Sequence, residues 1–182
     1  MCSFQPTLFV IIGGTGDLTR RKLLPAIADM AAKNGWQDRF HVLAVGRGEQ
    51  DDDSYRAWAR EGLMLAGLAR ESIEAWCDTS IHYVSNADEA GGWQAVADRI
   101  EVIESANDLP GNRAFYLAIP PRAFPPVIEA LGEVGLNRSA GFTRLVIEKP
   151  FGKSLESARS LNELVHGSFE EHQVYRIDHY LG

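Results

Sequence analysis

Short apolar runs recur along the chain, and the segments between them carry apolar residues at helical spacing. Each run is long enough for one β-strand, and several are continuously apolar, as strands covered on both faces of a sheet are. The strands predicted from these runs are Leu8–Ile12, His41–Val45, Ile81–Val84, Ala114–Ile119 and Arg144–Ile147.

Amphipathic helices are predicted at residues 93–103, 127–134 and 155–165, where apolar side chains repeat every three to four positions. Ser154 is a suitable N-cap for the last of these helices. Pro25 lies in the helix predicted after the first strand and should kink or shorten it. Because strands alternate with helices, the pattern predicts an α/β fold with a doubly wound, mainly parallel sheet and helices on both faces.

Composition and charge narrow the classes of function. The chain has 182 residues and a formal net charge of -7, which argues against a nucleic-acid partner. The cations from Arg20 to Lys22 suit only a local anion site. Cys2 and Cys77 match no metal spacing and indicate a reducing, cytoplasmic environment. The apolar run near the N-terminus is too short to span a membrane, and no basic segment of a signal peptide precedes it.

A glycine-rich junction follows the first predicted strand, where positions 13 to 22 read GGTGDLTRRK. Gly13, Gly14 and Gly16 permit a tight turn and a close backbone approach, and Thr15 adds a hydroxyl donor. A helix N-terminus after such a turn favours an anion, so the junction predicts a pyrophosphate-binding turn. The spacing matches neither GxGxxG nor a Walker A loop, and a plain strand–helix turn is the alternative.

Further candidate residues follow the later strands, because ligands of doubly wound sheets bind at the carboxyl ends of the strands. Arg47 stands after the second strand, where NAD-preferring folds place an acidic residue, and an arginine suits a ribose 2′-phosphate. The nearby Glu49 weakens this interpretation. The alternative is that Arg47 is a solvated surface residue. Ile119 and Pro120 end the fourth strand, where the backbone can pass a dinucleotide. Lys149 lies at the end of the fifth strand. Its amine is either a functional group of the site or belongs to an ordinary surface lysine before a turn.

Four motifs in this order, GGTGDLTRRKLLPAI, FYLAIPP, VIEKPFG and RIDHYLG, resemble those of glucose-6-phosphate dehydrogenase. The resemblance runs from about residue 8 to the last residue. It implies a Rossmann-like NAD(P)-binding domain over residues 1–182, in which 170–182 begin the substrate-binding segment, and a truncated chain without the family's C-terminal domain. It also implies NADP-dependent oxidation of glucose 6-phosphate at C1 to 6-phosphogluconolactone, the first step of the oxidative pentose phosphate pathway.

The same resemblance implies roles for individual residues. Those implied to bind NADP are Gly13, Gly14, Thr15, Gly16, Asp17, Leu18, Arg47, Asn86, Ala87, Ile119, Pro120 and Lys149. Those implied to bind the sugar phosphate are Lys22, Lys149, His179 and Tyr180. Lys149 would reach both the sugar and the nicotinamide and act in catalysis, and the peptide bond between Lys149 and Pro150 would be cis. Asp178 would pair with a catalytic histidine, the base for the C1 hydroxyl, in a later segment of the family. Taken alone, Asp178 is better explained as a salt-bridge partner of Arg176, and His179 as a histidine packed next to a tyrosine; within the motif, the functional roles are favoured.

The resemblance carries expectations for the chain as a whole. We expect NADP binding without oxidation of glucose 6-phosphate, because the base is missing. We expect a homo-oligomer of the full-length protein, through the missing domain, and no metal, nucleic-acid or membrane partner. An exposed apolar patch should remain, formed by Phe169, Val174, Tyr175, Ile177 and Tyr180. The alternatives are another Rossmann-type sugar oxidoreductase, which would typically carry GxGxxG, and a non-catalytic dinucleotide-binding or sensor domain.

Overall fold

Six parallel β-strands form the central sheet of the protein, whose computed structural model describes residues 4–86, 92–149 and 154–177. The strands are β1 (Thr7–Ile12), β2 (Phe40–Gly46), β3 (Ile81–Ser85), β4 (Arg113–Leu117), β5 (Thr143–Glu148) and β6 (Val174–Ile177). Their order across the sheet is β3-β2-β1-β4-β5-β6, and every neighbouring pair is parallel. The chain builds outward from β1 to one edge and then starts again at β4, so a topological switch point lies beside β1.

Helices connect these strands and confirm the predicted α/β fold. They are α1 (Leu24–Asn34), α2 (Asp52–Leu65), α3 (Arg70–Ser80), α4 (Gly92–Ala106), α5 (Phe124–Glu133) and α6 (Leu155–Ser168). The N-cap predicted at Ser154 is confirmed, since its hydroxyl accepts a hydrogen bond from the amide of Ser157 at 3.2 Å. The predictions did not include α2, α3 or β6. The fourth strand ends at Leu117, two residues earlier than predicted, because the prolines that follow cannot continue a strand ladder.

The disturbance predicted at Pro25 takes the form of a π-helical turn, Thr19–Leu23, directly before α1. Proline has no amide hydrogen for the carbonyl four residues earlier, and its ring clashes with that carbonyl in a regular helix. In the wider turn, the amide of Leu24 donates instead to the carbonyl of Thr19. The turn carries Arg20, Arg21 and Lys22, so the cationic part of the glycine-rich motif lies on irregular helix.

Two apolar cores lie on opposite faces of the sheet. One lies between α1–α3 and the strands β1–β3, and its buried side chains include Ile11, Val42, Tyr55, Ile73 and Trp76. The other lies under α4, α5 and α6, and its buried side chains come from β1, β2, β4, β5 and β6, including Val10, Leu43, Phe115, Leu145 and Val174. The β1–β3 half of the sheet is therefore covered on both faces by described helices, and the β4–β6 half on one face.

Buried and more exposed side chains alternate along β5, and the more exposed ones lie on the uncovered face. Arg144 is exposed and Val146 half-buried, and Tyr175, the register partner of Val146, retains 45% of its surface. The predicted exposed patch is correct for Tyr175 but wrong for Phe169 and Val174. Both are buried because they point into the core under α6 rather than toward the uncovered face. Ile177 is half-buried, and Tyr180 lies outside the described residues.

The β3 edge of the sheet is closed by side chains of α2. The Asp52 carboxylate accepts a hydrogen bond from the amide of Tyr83 at 2.7 Å. The Arg56 guanidinium donates to the carbonyl of Ile81 at 2.9 Å. These two side chains, one helical turn apart, satisfy outward-facing backbone groups that an edge strand would otherwise offer to another chain.

Candidate functional site

The turn after β1 is held against the ends of β2 and β4. The amides of Gly13 and Gly14 both donate to the carbonyl of Val45, at 3.0 and 2.9 Å. Gly13 has φ +92°, and a Cβ atom built on it would lie 2.4 Å from the carbonyl oxygen of Ala118. A side chain at position 13 is therefore excluded by both backbone conformation and space. At Gly14, an added Cβ would lie 2.5 Å from Cβ of Ala44, so this glycine is also required for close packing.

Two hydroxyl groups fix the carbonyls of the same turn. The buried Tyr55 hydroxyl, from α2, donates to the carbonyl of Gly14 at 2.7 Å. Burial raises the pKa of this phenol, so it remains a donor throughout the physiological range. The buried Thr19 hydroxyl donates to the carbonyl of Gly13 at 3.0 Å. Both carbonyls are thereby engaged with the protein.

Backbone amides at the start of the following helix are available to a ligand. Within the described ranges, no hydrogen bond joins the amides of Thr15, Asp17 and Leu18 to another residue. The amide of Gly16 donates within the turn, to the carbonyl of Gly13 at 3.0 Å. Free amides at a helix start attract negative charge, and the helix dipole adds to this attraction. This is the arrangement that binds pyrophosphate in dinucleotide-binding folds.

A groove of about 430 Å³ opens beside the turn, at the carboxyl ends of β1, β2 and β4. Sequence-predicted residues in its lining are Gly13, Thr15, Gly16, Arg47, Asn86, Ile119 and Pro120. The amide of Asn86 donates to the carbonyl of Gly46 at 2.8 Å, which holds the end of β3 next to Arg47. The Arg47 side chain is exposed at the rim. The structure therefore brings together most of the residues predicted to bind a dinucleotide.

The other predicted residues have different locations. Gly14 and Leu18 belong to the turn without lining the groove, and Asp17 borders a separate hollow with Arg20 and Arg21. Lys22 and Lys149 are exposed and also do not line the groove. The predicted roles of Ala87, Asp178, His179 and Tyr180, and the cis bond at Pro150, concern positions outside the described residues.

Lys149 follows a strand end that is held from two sides. Its amide donates to the carbonyl of Ile177 at 3.1 Å, which ties it to β6. The preceding residue, Glu148, accepts a hydrogen bond from the hydroxyl of Tyr116. Burial and the neighbouring Glu148 carboxylate raise the pKa of Tyr116, so the phenol keeps its proton and donates. These contacts fix the backbone from which the Lys149 side chain extends.

Sequence reasoning missed several residues that shape the site. Tyr55 and Thr19 hold the turn, Tyr116 holds Glu148, and Arg122 lines the groove. Arg122 was the easiest to find, because it follows the strand-end motif FYLAIPP directly. Tyr55 lies 41 positions from Gly14, so no local pattern joins them.

Two structural features are not found in the described residues. They contain no group of three or more His, Cys, Asp or Glu side chains that could hold a metal ion. None of their helices combines the length and apolar character needed to cross a membrane.

Comparison with known proteins identifies the family. The family model of glucose-6-phosphate dehydrogenase, NAD binding domain, matches residues 10–182. Glucose-6-phosphate 1-dehydrogenase of Aggregatibacter actinomycetemcomitans is 38% identical over 175 residues, covering 95% of this chain and 35% of the relative. The enzyme of Leuconostoc mesenteroides is 32% identical over 182 residues, covering 100% of this chain and 37% of the relative.

Solved structures agree with the sequence comparison. A structure of glucose-6-phosphate dehydrogenase in complex with its substrate glucose-6-phosphate superimposes with a TM-score of 0.83 at 28% identity, over 97% of this chain and 37% of that one. The chain thus spans little more than a third of the length of the relatives it matches. On the family match and the shared fold, the chain belongs to the glucose-6-phosphate dehydrogenase family and corresponds to its NAD binding domain.

Proposed function

We propose that this chain is the coenzyme-binding part of an NADP-dependent glucose-6-phosphate dehydrogenase. The reaction of the whole protein is oxidation of glucose 6-phosphate at C1 to 6-phosphogluconolactone. The observation that carries the proposal is that the glycine turn and Arg47 border one groove at the switch point of the sheet. We assign residues 1–182 to one coenzyme domain, with 170–182 as the start of the substrate-binding segment.

The groove fits an NADP molecule in its chemistry. The constrained turn at Gly13 lets the backbone approach a pyrophosphate, and the amides of Thr15, Asp17 and Leu18 offer it hydrogen bonds. An exposed arginine at position 47 supplies a charge-assisted contact to a ribose 2′-phosphate. Bound NADP would accept the hydride that leaves C1 of the sugar.

Lys22 and Lys149 supply positive charge for the dianionic sugar phosphate. Both side chains are exposed; Lys22 lies in the π-helical turn before α1, and the amide of Lys149 is tied to β6. Lys149 orients the sugar relative to the nicotinamide, which is the positioning that a direct transfer between two bound molecules requires. Asp178, His179 and Tyr180 complete the proposed sugar site, and Asp178 orients the catalytic base.

A reducing, cytoplasmic location and a homo-oligomeric full-length protein also belong to this proposal. Cys77 is a free thiol buried among apolar side chains, and burial raises its pKa to about 11. A thiol of this kind is unreactive and forms no disulfide without unfolding, which is compatible with a reducing compartment.

Calorimetry and an absorbance assay test the two parts of the proposal separately. The 182-residue chain should bind NADP more tightly than NAD in a calorimetric titration. With glucose 6-phosphate added, it should form no measurable NADPH, because general-base catalysis alone contributes about 10²–10⁴-fold and the proposed base is not in this chain. A folded chain that binds neither nucleotide would contradict the cofactor assignment. Robust turnover would contradict the assignment of the base.

A further inference from the structure

A second arginine borders the groove on the side opposite Arg47. Arg47 follows β2 and Arg122 follows β4, and these two strands flank β1 on either side. Both side chains are exposed, and both contribute to the lining of the same groove. The glycine turn lies between them, at the end of β1.

The backbone that carries Arg122 is rigid. It belongs to a short 3₁₀ turn, Pro121–Ala123, between β4 and α5. Pro120 and Pro121 restrict the chain on one side, and the amide of Ala123 donates to the carbonyl of Pro120 at 2.8 Å. On the other side, Phe124 is buried in the core at 1% exposure. Arg122 is thus presented from a fixed point, which lowers the entropy lost when its side chain binds a ligand.

The charges around the groove are not balanced by protein groups. Its lining in the described residues contains two arginines and no Asp or Glu side chain. Neither Arg47 nor Arg122 forms an ion pair with another described residue, whereas Arg99 and Arg113 each pair with a carboxylate. This concentration of positive charge occurs in a protein whose net charge is -7. The groove is therefore suited to an anion at its rim.

The remaining lining leaves the arginines available for a phosphate. Val45, Ile119 and Val127 form apolar parts of the walls and suit the neutral adenine ring. The amides of the glycine turn are available to hydrogen-bond the pyrophosphate, so the arginines are not needed there. The 2′-phosphate carries two negative charges near neutral pH and several acceptor oxygens, which one arginine fork cannot fully satisfy.

We propose that Arg122 is a second 2′-phosphate-binding residue that acts with Arg47 from the opposite wall and so contributes to selection of NADP over NAD. This inference rests on the proposed function, since it assigns a further residue to the same cofactor site. NAD lacks the 2′-phosphate, so the contribution of Arg122 is absent from its binding.

Calorimetric dissociation constants for NADP and NAD test the inference on the 182-residue chain. Arg122→Ala should raise the Kd for NADP about 10-fold and change that for NAD less than about 2-fold. Arg122→Lys should give an intermediate Kd for NADP, because it keeps the charge and loses the planar fork. Arg159→Ala is the matched control: Arg159 is exposed on α6, forms no ion pair with a described residue and lies outside the groove. It should leave both constants unchanged.

Each contrary outcome has a distinct meaning. An unchanged Kd for NADP in Arg122→Ala, with binding intact in the unmodified chain, overturns the inference and leaves the proposed function standing. An equal loss for NADP and NAD also overturns it, since Arg122 would then act on a part that the two nucleotides share. Failure of the unmodified chain to bind NADP overturns the proposed function and the inference with it.

Discussion

The β1–β3 half of the sheet has helices on both faces, whereas the β4–β6 half has described helices on one face only. The edges differ in the same way. At the β3 edge, the Asp52 and Arg56 side chains form hydrogen bonds with the strand backbone. At the β6 edge, Tyr175 is exposed on the uncovered face. The first half contains the turn and Arg47, and the second leads to Lys149. The half that contains the glycine turn and Arg47 is thus covered on both faces, and the half that leads to Lys149 has a face without described helices.

The largest expected effect concerns matched tyrosines in the two halves. Tyr55 is fully buried and donates to the carbonyl of Gly14, whereas Tyr175 is 45% exposed on the uncovered face. Tyr55→Ala should lower the free energy of unfolding by about 3–5 kcal/mol, since it creates a cavity and removes a buried hydrogen bond. Tyr175→Ala should lower it by about 0.5 kcal/mol or less. Urea denaturation measures both, and similar losses would contradict the difference between the halves.

Acid should destabilise the covered half through buried imidazoles. His82, from β3, stacks with His41 of β2 at 5.8 Å between ring centroids, and both are buried. Burial lowers the pKa of His82 to about 4, assisted by His41, Arg99 and Arg56 and opposed by Asp52. Burial lowers the pKa of His41 as well. The stabilising contribution of neutral His82 is complete above its unfolded pKa of about 6.5 and is lost as pH falls toward 4.

The expected loss from His82 is about 3 kcal/mol between pH 7 and pH 4. Urea midpoints measured across this range should fall less steeply in His82→Gln than in the unmodified chain. His172→Gln is the control in the other half, because the His172 side chain is exposed. It should leave the slope unchanged, and a flattening as large as that of His82→Gln would exclude the buried imidazole as the cause.

Substitution of two glycines with positive φ separates the cost of backbone strain from the cost of close packing. Gly13 has φ +92° and no room for a Cβ atom, whereas Gly35 has φ +66° and no heavy atom within 4 Å of an added Cβ. Gly35→Ala should cost about 1 kcal/mol of stability through its backbone alone. Gly13→Ala should cost about 2 kcal/mol or more and abolish nucleotide binding, as measured by urea denaturation and calorimetry. Equal costs with binding retained would show that the turn tolerates a side chain.

Much of the fold could be predicted because the buried strands are continuous apolar runs. The helices α2 and α3 were missed because their sequences are rich in charged residues. The buried positions of α2, Tyr55, Ala59 and Leu63, recur every four residues and could have revealed it. The strand β6 has only one buried residue, Val174, so its pattern is too short to recognise.

The candidate site was predictable only where it is local in sequence. The glycine turn and the position of Arg47 could be recognised from a strand, a turn and a helix in succession. The contact between Tyr116 and Glu148 joins residues 32 positions apart, and it depends on the pairing of β4 with β5. The proposed role of Arg122 depends on which strands flank β1, and this order is a property of the whole sheet.

The groove is proposed to select NADP through Arg47, and Arg47→Ala tests this selection most directly. A charge-assisted contact to the 2′-phosphate is worth about 1.5–3 kcal/mol. Titration calorimetry should therefore show NADP binding weakened about 10- to 100-fold, with NAD binding nearly unchanged. An equal loss for the two nucleotides, or no loss for either, would contradict the claim.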